Sequence, residues 1–198
     1  VPLVEVLDRA GVQPDAREAV FRGIDGGLVD GSADPIRFER SLSIADARQG
    51  SALLAYAMNG EPLPLQHGHP LRVVVPDWYA VASVKWLTEI EILDRPFVGH
   101  YQTDKYHYEW ERAGQIVREP VTLQQVRALI TDPAPSQDVP RGELAVRGVA
   151  WSGAAPIARV EVSVNGETWQ DARLIGERQR DRLQRWVMIP RGQDGGAV

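Results

Sequence analysis

The sequence predicts an α+β chain in two parts, a mixed helix-and-strand part over residues 1–120 and an all-β part over residues 121–198. Three observations carry this reading. Near the start, Leu3, Val6, Leu7 and Ala10 recur at helical spacing and stop at Gly11. Residues 71–75 form a β-branched run between Pro70 and Pro76, the pattern of a strand buried on both faces. Beyond Val121 the character changes: Pro133, Pro135 and Pro140 punctuate the chain, and short runs alternate apolar and polar with period two.

Each element follows from local signals. Residues 1–10 are an amphipathic helix with Gly11 as its C-cap, and residues 19–21 a short buried strand leading into Gly23-Ile24-Asp25-Gly26-Gly27. Residues 28–35, rich in Gly, Asp and Ser, are a surface loop. Ser43 and Asp46 form a capping box, which starts a short helix at Ile44. The apolar run 53–58 is read as strand because the hairpin turn Asn59-Gly60 follows it directly. Over 84–93, Val84, Trp86, Thr88, Ile90 and Ile92 fall on one face, with Lys85, Leu87, Glu89, Glu91 and Leu93 on the other. Residues 97–110 are aromatic and charged without a period, and read as a long ordered loop.

In the second part, residues 144–150 are one strand. Residues 157–164 are the next, with Ala158, Val160, Val162 and Val164 inward and Arg159, Glu161 and Ser163 outward. Asn165-Gly166 is expected to make a type I′ turn into residues 168–174. Strands at this spacing read as a β-sandwich of immunoglobulin type, which in complete form takes roughly 100 residues and seven strands. About four strands are legible before the Gly-rich end at residues 191–198, so this part is expected to be incomplete.

Composition excludes several classes. The 198 residues carry a formal net charge of −5, against the concentrated basic face that general nucleic-acid binding requires. There is no cysteine, which removes disulfides, zinc–thiolate sites, iron–sulfur clusters and thiol nucleophiles from these residues, while saying little about compartment. No apolar run approaches the roughly 20 residues that span a bilayer. The first residues do not read as a signal peptide, and the opening Val inside a helix reads as the start of a processed or truncated piece. No GxSxG, P-loop or GxGxxG pattern occurs, and no HxH pair comes with a carboxylate spaced for zinc or iron.

The richest stretch runs from Asn59 to Leu87. In His67-Gly68-His69-Pro70-Leu71-Arg72, Gly68 permits a sharp turn and close approach of a ligand. Arg72, at a sheet end, can fork onto a phosphate or carboxylate. A surface turn whose His and Arg face solvent is the alternative. Lys85 is either a snorkelling strand lysine or an amine held near a ligand. Asp25 among its glycines is most simply a turn residue, and otherwise an acceptor for ring N–H groups. His100, Tyr101, Tyr106, His107, Tyr108 and Trp110 form an aromatic patch able to line a pocket.

MNGEPLP, HGHPLR and VKWL, in this order and spacing, resemble the molybdopterin-binding domain of the sulfite oxidase family, which also includes plant assimilatory nitrate reductases. RGVAWSGAAPIARVEVSVNGETWQDARL resembles the immunoglobulin-like dimerisation domain that follows it in that family. The resemblance implies a mixed α/β molybdopterin-binding domain ahead of the sandwich, and oxygen-atom transfer at molybdenum to or from a small oxyanion such as sulfite or nitrate. It places His67, Arg72, Ser83, Val84, Lys85 and, in FRGID, Asp25 on cofactor-contact positions. It places Tyr106, in QTDKY, on the active-site tyrosine beside the metal. It further implies a homodimer and a haem-protein electron acceptor.

Family members tie molybdenum to the protein through one cysteine thiolate in an upstream segment, where a substrate-binding arginine also lies. No metal ligand is assigned within these residues, so the chain by itself is expected to show no turnover. A non-catalytic relative acting as a dimerisation or interaction module is the alternative. Exposed apolar residues on the sandwich would favour it, and a cationic pocket at Arg72 and Lys85 would favour the enzyme.

Overall fold

The computed structural model describes residues 1–29, 31–49, 51–140, 142, 144–177 and 183–189. The chain divides into two compact units, Val1–Thr122 and Leu123–Val198, each with its own apolar core.

In the first unit, α1 (Leu3–Ala10) buries Leu3 and Leu7, one turn apart, and Gly11 ends it in the left-handed region at φ 71°. Next come β1 (Glu18–Gly27) and β2 (Ile36–Ser43). Ala19, Val20 and Phe21 are all fully buried, so both faces of β1 are covered at that point. β1 continues through Gly27 instead of turning at Gly23, with its register against β2 shifting between Arg22 and Gly26. Asp25 therefore lies in a bulged strand and not in a turn. β2 has no counterpart in the sequence reading.

Ser43 starts α2 (Ile44–Gln49): its Oγ accepts the Asp46 N–H at 3.0 Å and donates to the Asp46 carboxylate at 2.6 Å. β3 (Leu53–Ala55) is followed by the short hairpin β4 (Ala57–Met58) and β5 (Glu61–Pro62). Asn59 and Gly60 at its tip sit at φ 55° and 85°, the type I′ geometry this dipeptide predicts. β6 (Arg72–Val74) pairs antiparallel with β3, and β7 (Leu87–Leu93) completes the antiparallel sheet β2–β1–β7.

The alternation expected over 84–93 holds only from Leu87. Trp86 sits at φ 48°, so Val84, Lys85 and Trp86 precede the strand and do not follow its period. Leu87 and Leu93 are buried, and Ile90 and Ile92 pack partly on the core as well. Nor is 97–110 one loop. His100–Asp104 is a π-helical turn closed by the Lys105 N–H on the His100 carbonyl at 2.8 Å. β8 (His107–Arg112) then pairs with β9 (Gln115–Pro120) around a positive-φ Ala113-Gly114 turn.

The second unit contains β10 (Arg127–Asp132), β11 (Val146–Trp151), β12 (Glu161–Ser163), β13 (Trp169–Asp171), β14 (Arg173–Ile175) and β15 (Gln184–Met188). They form a four-stranded sheet, β10–β11–β15–β14, and a separate pair, β12–β13. Trp186 fills the centre of its core, and Gly148 lies against the Trp186 ring and the Leu129 carbonyl, where no side chain fits. Residues 157–160 are not strand, so the inward assignment fails for Ala158, which is exposed. It fails also for Val164, beyond the end of β12. At Asn165-Gly166 only the glycine has positive φ, so the turn is not type I′. Instead the Asn165 side-chain oxygen accepts the N–H groups of Glu167 and Thr168, each at 3.0 Å. Residues 191–198 lie outside the described residues.

Candidate functional site

The site is assembled around a single 3₁₀ turn, Leu65–His67, in the first unit. Gly68 ends it at φ 100°. A Cβ on Gly68 would stand 2.9 Å from the Lys85 Cβ, so the backbone of the turn lies directly against Lys85. Three consecutive carbonyls of the turn then accept from three side chains. Trp86 Nε1 donates to Leu65 O at 3.0 Å, Lys85 Nζ to Gln66 O at 3.0 Å and Arg72 to His67 O at 3.1 Å. Arg72 also donates to Ser83 O at 3.0 Å, and Lys85 Nζ lies 4.6 Å over the Trp86 ring. The Ser83 hydroxyl accepts the Val75 N–H at 3.0 Å.

Asp25 joins this cluster through the bulge of β1. Its carboxylate folds over Gly23, whose missing side chain leaves the room, and a Cβ there would also stand 2.9 Å from Lys85 O. The Ile24 N–H donates to Trp86 O at 2.9 Å, and Arg37 holds Gly23 O with two bonds of 3.1 and 3.2 Å. Asp25 Oδ1 is buried without any hydrogen-bond partner, an acceptor waiting for a donor. Burial lowers the pKa of Arg72 from its ordinary value, yet a guanidinium so placed remains a cation at neutral pH.

Asp25, Arg72, Ser83 and Lys85 are thus brought together. His67 contributes its carbonyl, and its ring is exposed. Val84 stands between Ser83 and Lys85. Its side chain is fully buried in the core, and its N–H and carbonyl are already bonded to Ala82 and Val73. Lys85 departs from its strand assignment, standing in the break before β7.

Tyr106 has other neighbours. It is 40% exposed, its ring stacks on Tyr101 at 6.5 Å, and its carbonyl accepts the Val121 N–H at 3.0 Å. The buried Arg40 donates to the carbonyls of Tyr101 and Val121, both of which adjoin Tyr106. Gly23, Arg37, Arg40, Gln66 and Trp86 were not singled out as site residues by sequence. Trp86 stands inside the VKWL motif; Gln66 acts through a carbonyl, which no side-chain identity signals. Among the described residues no group of three His, Asp or Glu side chains is placed to hold a metal, and no helix is long and apolar enough to cross a membrane.

Two cations and a carboxylate with one unpartnered oxygen thus lie together on loops beside an antiparallel sheet. Residues 1–101 match the family model for the oxidoreductase molybdopterin binding domain, and residues 118–189 that for the Mo-co oxidoreductase dimerisation domain. The chain belongs to the molybdopterin-binding oxidoreductases of the sulfite oxidase type, and molybdopterin is the cofactor of that family.

It is 37% identical to the mitochondrial sulfite oxidase of Homo sapiens over 193 residues, covering 91% of this chain and 34% of that protein. It is 28% identical to nitrate reductase [NADH] 2 of Phaseolus vulgaris over 198 residues, covering 85% and 21%. The crystal structure of the sulfane dehydrogenase SoxCD from Paracoccus pantotrophus matches with a TM-score of 0.79 at 30% identity, covering 96% of this chain and 46% of that one. The chain therefore spans between a fifth and a half of the lengths of these relatives.

Proposed function

We propose that this chain is part of a molybdenum cofactor-dependent oxidoreductase that moves an oxygen atom to or from a small oxyanion such as sulfite or nitrate. The observation that carries the reading is the pairing of Asp25 Oδ1, buried and unpartnered, with the Arg72–Lys85 cradle. A pterin offers ring N–H donors to the carboxylate and a phosphate to the cations, so the residues present fit it. When bound, the cofactor supplies the oxygen-atom transfer chemistry at molybdenum.

The chain's own residues bind and orient. Arg72 and Lys85 each use some of their N–H donors on carbonyls and keep others for phosphate oxygens. Asp25 accepts from the pterin ring edge, while His67 and Ser83 border the phosphate. Tyr106 donates a hydrogen bond from its phenol to an oxygen of the anionic substrate. A thiolate ligand to the metal does not come from these 198 residues, which contain no cysteine.

In this reading residues 1–120 are the cofactor domain and residues 121–198 belong to an immunoglobulin-like sandwich. That unit makes a homodimer, and a haem protein takes the electrons. Exposed apolar residues on β10, Leu129 at 55% and Ile130 at 48%, support a protein partner there. They equally favour the second reading, a non-catalytic dimerisation module.

Pterin and metal analysis of the purified chain separates the two, by fluorescence after oxidative release and by elemental mass spectrometry. Bound pterin that falls severalfold in Arg72→Ala is the expected result. A folded dimer that never retains pterin, even when made alongside cofactor synthesis, would overturn the enzymatic reading.

A further inference from the structure

Arg40 is fully buried in β2, yet its two hydrogen-bonding arms end on carbonyls rather than on a carboxylate. One arm donates to Tyr101 O at 2.5 Å, the other to Val121 O at 2.7 Å, and Nε has no acceptor. A buried cation held this way is costly to the fold, and burial drives its pKa down to about 10, leaving it charged at neutral pH.

Both carbonyls that it grips lead to one residue. Val121, whose carbonyl accepts from Arg40, donates its own N–H to Tyr106 O at 3.0 Å. Tyr101 belongs to the π-helical turn and stacks its ring on Tyr106 at 28° between planes. Phe38, two residues before Arg40 on β2, packs against the same turn, its ring 4.7 Å from that of Tyr101. Gln102, also in the turn and buried, accepts the Ser41 N–H at 3.3 Å. Phe38, Arg40 and Ser41 therefore fasten the turn to the sheet, and Tyr106 is held between the two segments that Arg40 clamps.

We propose that Arg40 is a positioning residue for Tyr106, gripping Tyr101 O and Val121 O so that the phenol is held in one orientation. This rests on the reading of Tyr106 as the phenol that meets the oxyanion. A positioning role differs from a purely structural one in that its effect passes through the Tyr106 hydroxyl.

The test combines two readouts. In the 198-residue chain, Arg40→Met should speed amide hydrogen exchange at Val121 about tenfold while the β1–β2–β7 ladder keeps its protection. In the cofactor-loaded protein that carries this chain, Arg40→Met should lower kcat/KM for the oxyanion about tenfold, and the same change in a Tyr106→Phe background should have almost no further effect. Arg40→Lys, which keeps the charge and one donor arm, should recover part of both; it decides the matter if Arg40→Met does not fold.

Losses that multiply instead of overlapping, or an unchanged Val121 amide, overturn the positioning role and leave the function reading standing. If Tyr106→Phe is itself silent while cofactor is retained, the assignment of Tyr106 fails, and this inference with it.

Discussion

Arg72 is where the fold and the proposed chemistry are easiest to separate, because its two best bonds differ in exposure. The arm to Ser83 O is partly buried at 3.0 Å, and the arm to His67 O is exposed at 3.1 Å. A hydrogen bond from a charged donor contributes about 1.5–3 kcal/mol when water cannot replace it, and far less when it can. Counting the buried arm near the low end and the exposed arm at a few tenths, Arg72→Met should destabilise the first unit by about 2 kcal/mol. For a chain of this size that lowers Tm by roughly 4–8 °C.

Urea unfolding followed by tryptophan fluorescence reads the loss, and limited proteolysis reads its location. Cleavage should appear within residues 64–69, because the side-chain bonds that anchor the turn are then reduced to those from Lys85 and Trp86. Arg72→Lys, with one donor group in place of the fork, should recover about half. A change under about 0.5 kcal/mol with no new cleavage would show that the clasp does not hold the loop, and the reasoning from these bonds would be wrong.

Three further outcomes are expected. Gly68→Ala must adopt φ 100° and press on Lys85, costing about 2 kcal/mol, whereas Gly11→Ala at φ 71° in open space should cost only about 1 kcal/mol by the same unfolding assay. Equal costs would remove the close approach to Lys85. Gly148→Ala would drive a methyl into Trp186 and the Leu129 carbonyl, so the second unit should lose about 3 kcal/mol or more while the first unit's melting stays put; NMR of the two cores reads this directly. Tyr108 is pushed up to about 12 by burial and by the neighbouring Tyr79 phenol. Its proton is bound more tightly in the folded state, so the stability it contributes is full below about pH 10 and is lost as pH rises toward 12. The difference between ultraviolet titrations of the chain and of Tyr108→Phe should show one phenol ionising near 12, and an ordinary tyrosine curve would contradict the burial argument.

The elements that could be read from sequence are those whose signals are local. Gly11 after a helical apolar spacing, Ser43 three residues before Asp46, and Asn59-Gly60 after an apolar run each specify a backbone geometry within a few residues. β2 escaped because IRFERSLS carries Arg40 on a buried position, and a charge looks like a solvent face until the carbonyls that receive it are known. The β8–β9 hairpin escaped because Ala113-Gly114 lacks the Asn or Asp that announces a positive-φ turn. Of the site, His67, Arg72 and Lys85 stood out by residue type. The carbonyls of Leu65, Gln66 and His67, which bind the cluster together, have no sequence signature at all.

The places where local rules fail coincide with the cradle, and that coincidence is informative. The register of β1 shifts against β7 between Arg22 and Gly23, directly opposite the point where β7 begins after the positive-φ Trp86. A tryptophan in that conformation is strained, and the surroundings over-determine it through Trp86 Nε1 to Leu65 O and Trp86 O to the Ile24 N–H. Those two bonds connect the 3₁₀ turn, the strand break and the β1 bulge, so the segments that carry His67, Lys85 and Asp25 are tied together, and Arg72 joins them from β6 through its bond to His67 O. Arg72 and Lys85 are already fixed by protein carbonyls and need little further ordering to receive an anion. The strain at Trp86 thus falls where these segments meet, and the Asp25 oxygen beside them is the buried acceptor of that cluster without a hydrogen-bond partner among the described residues.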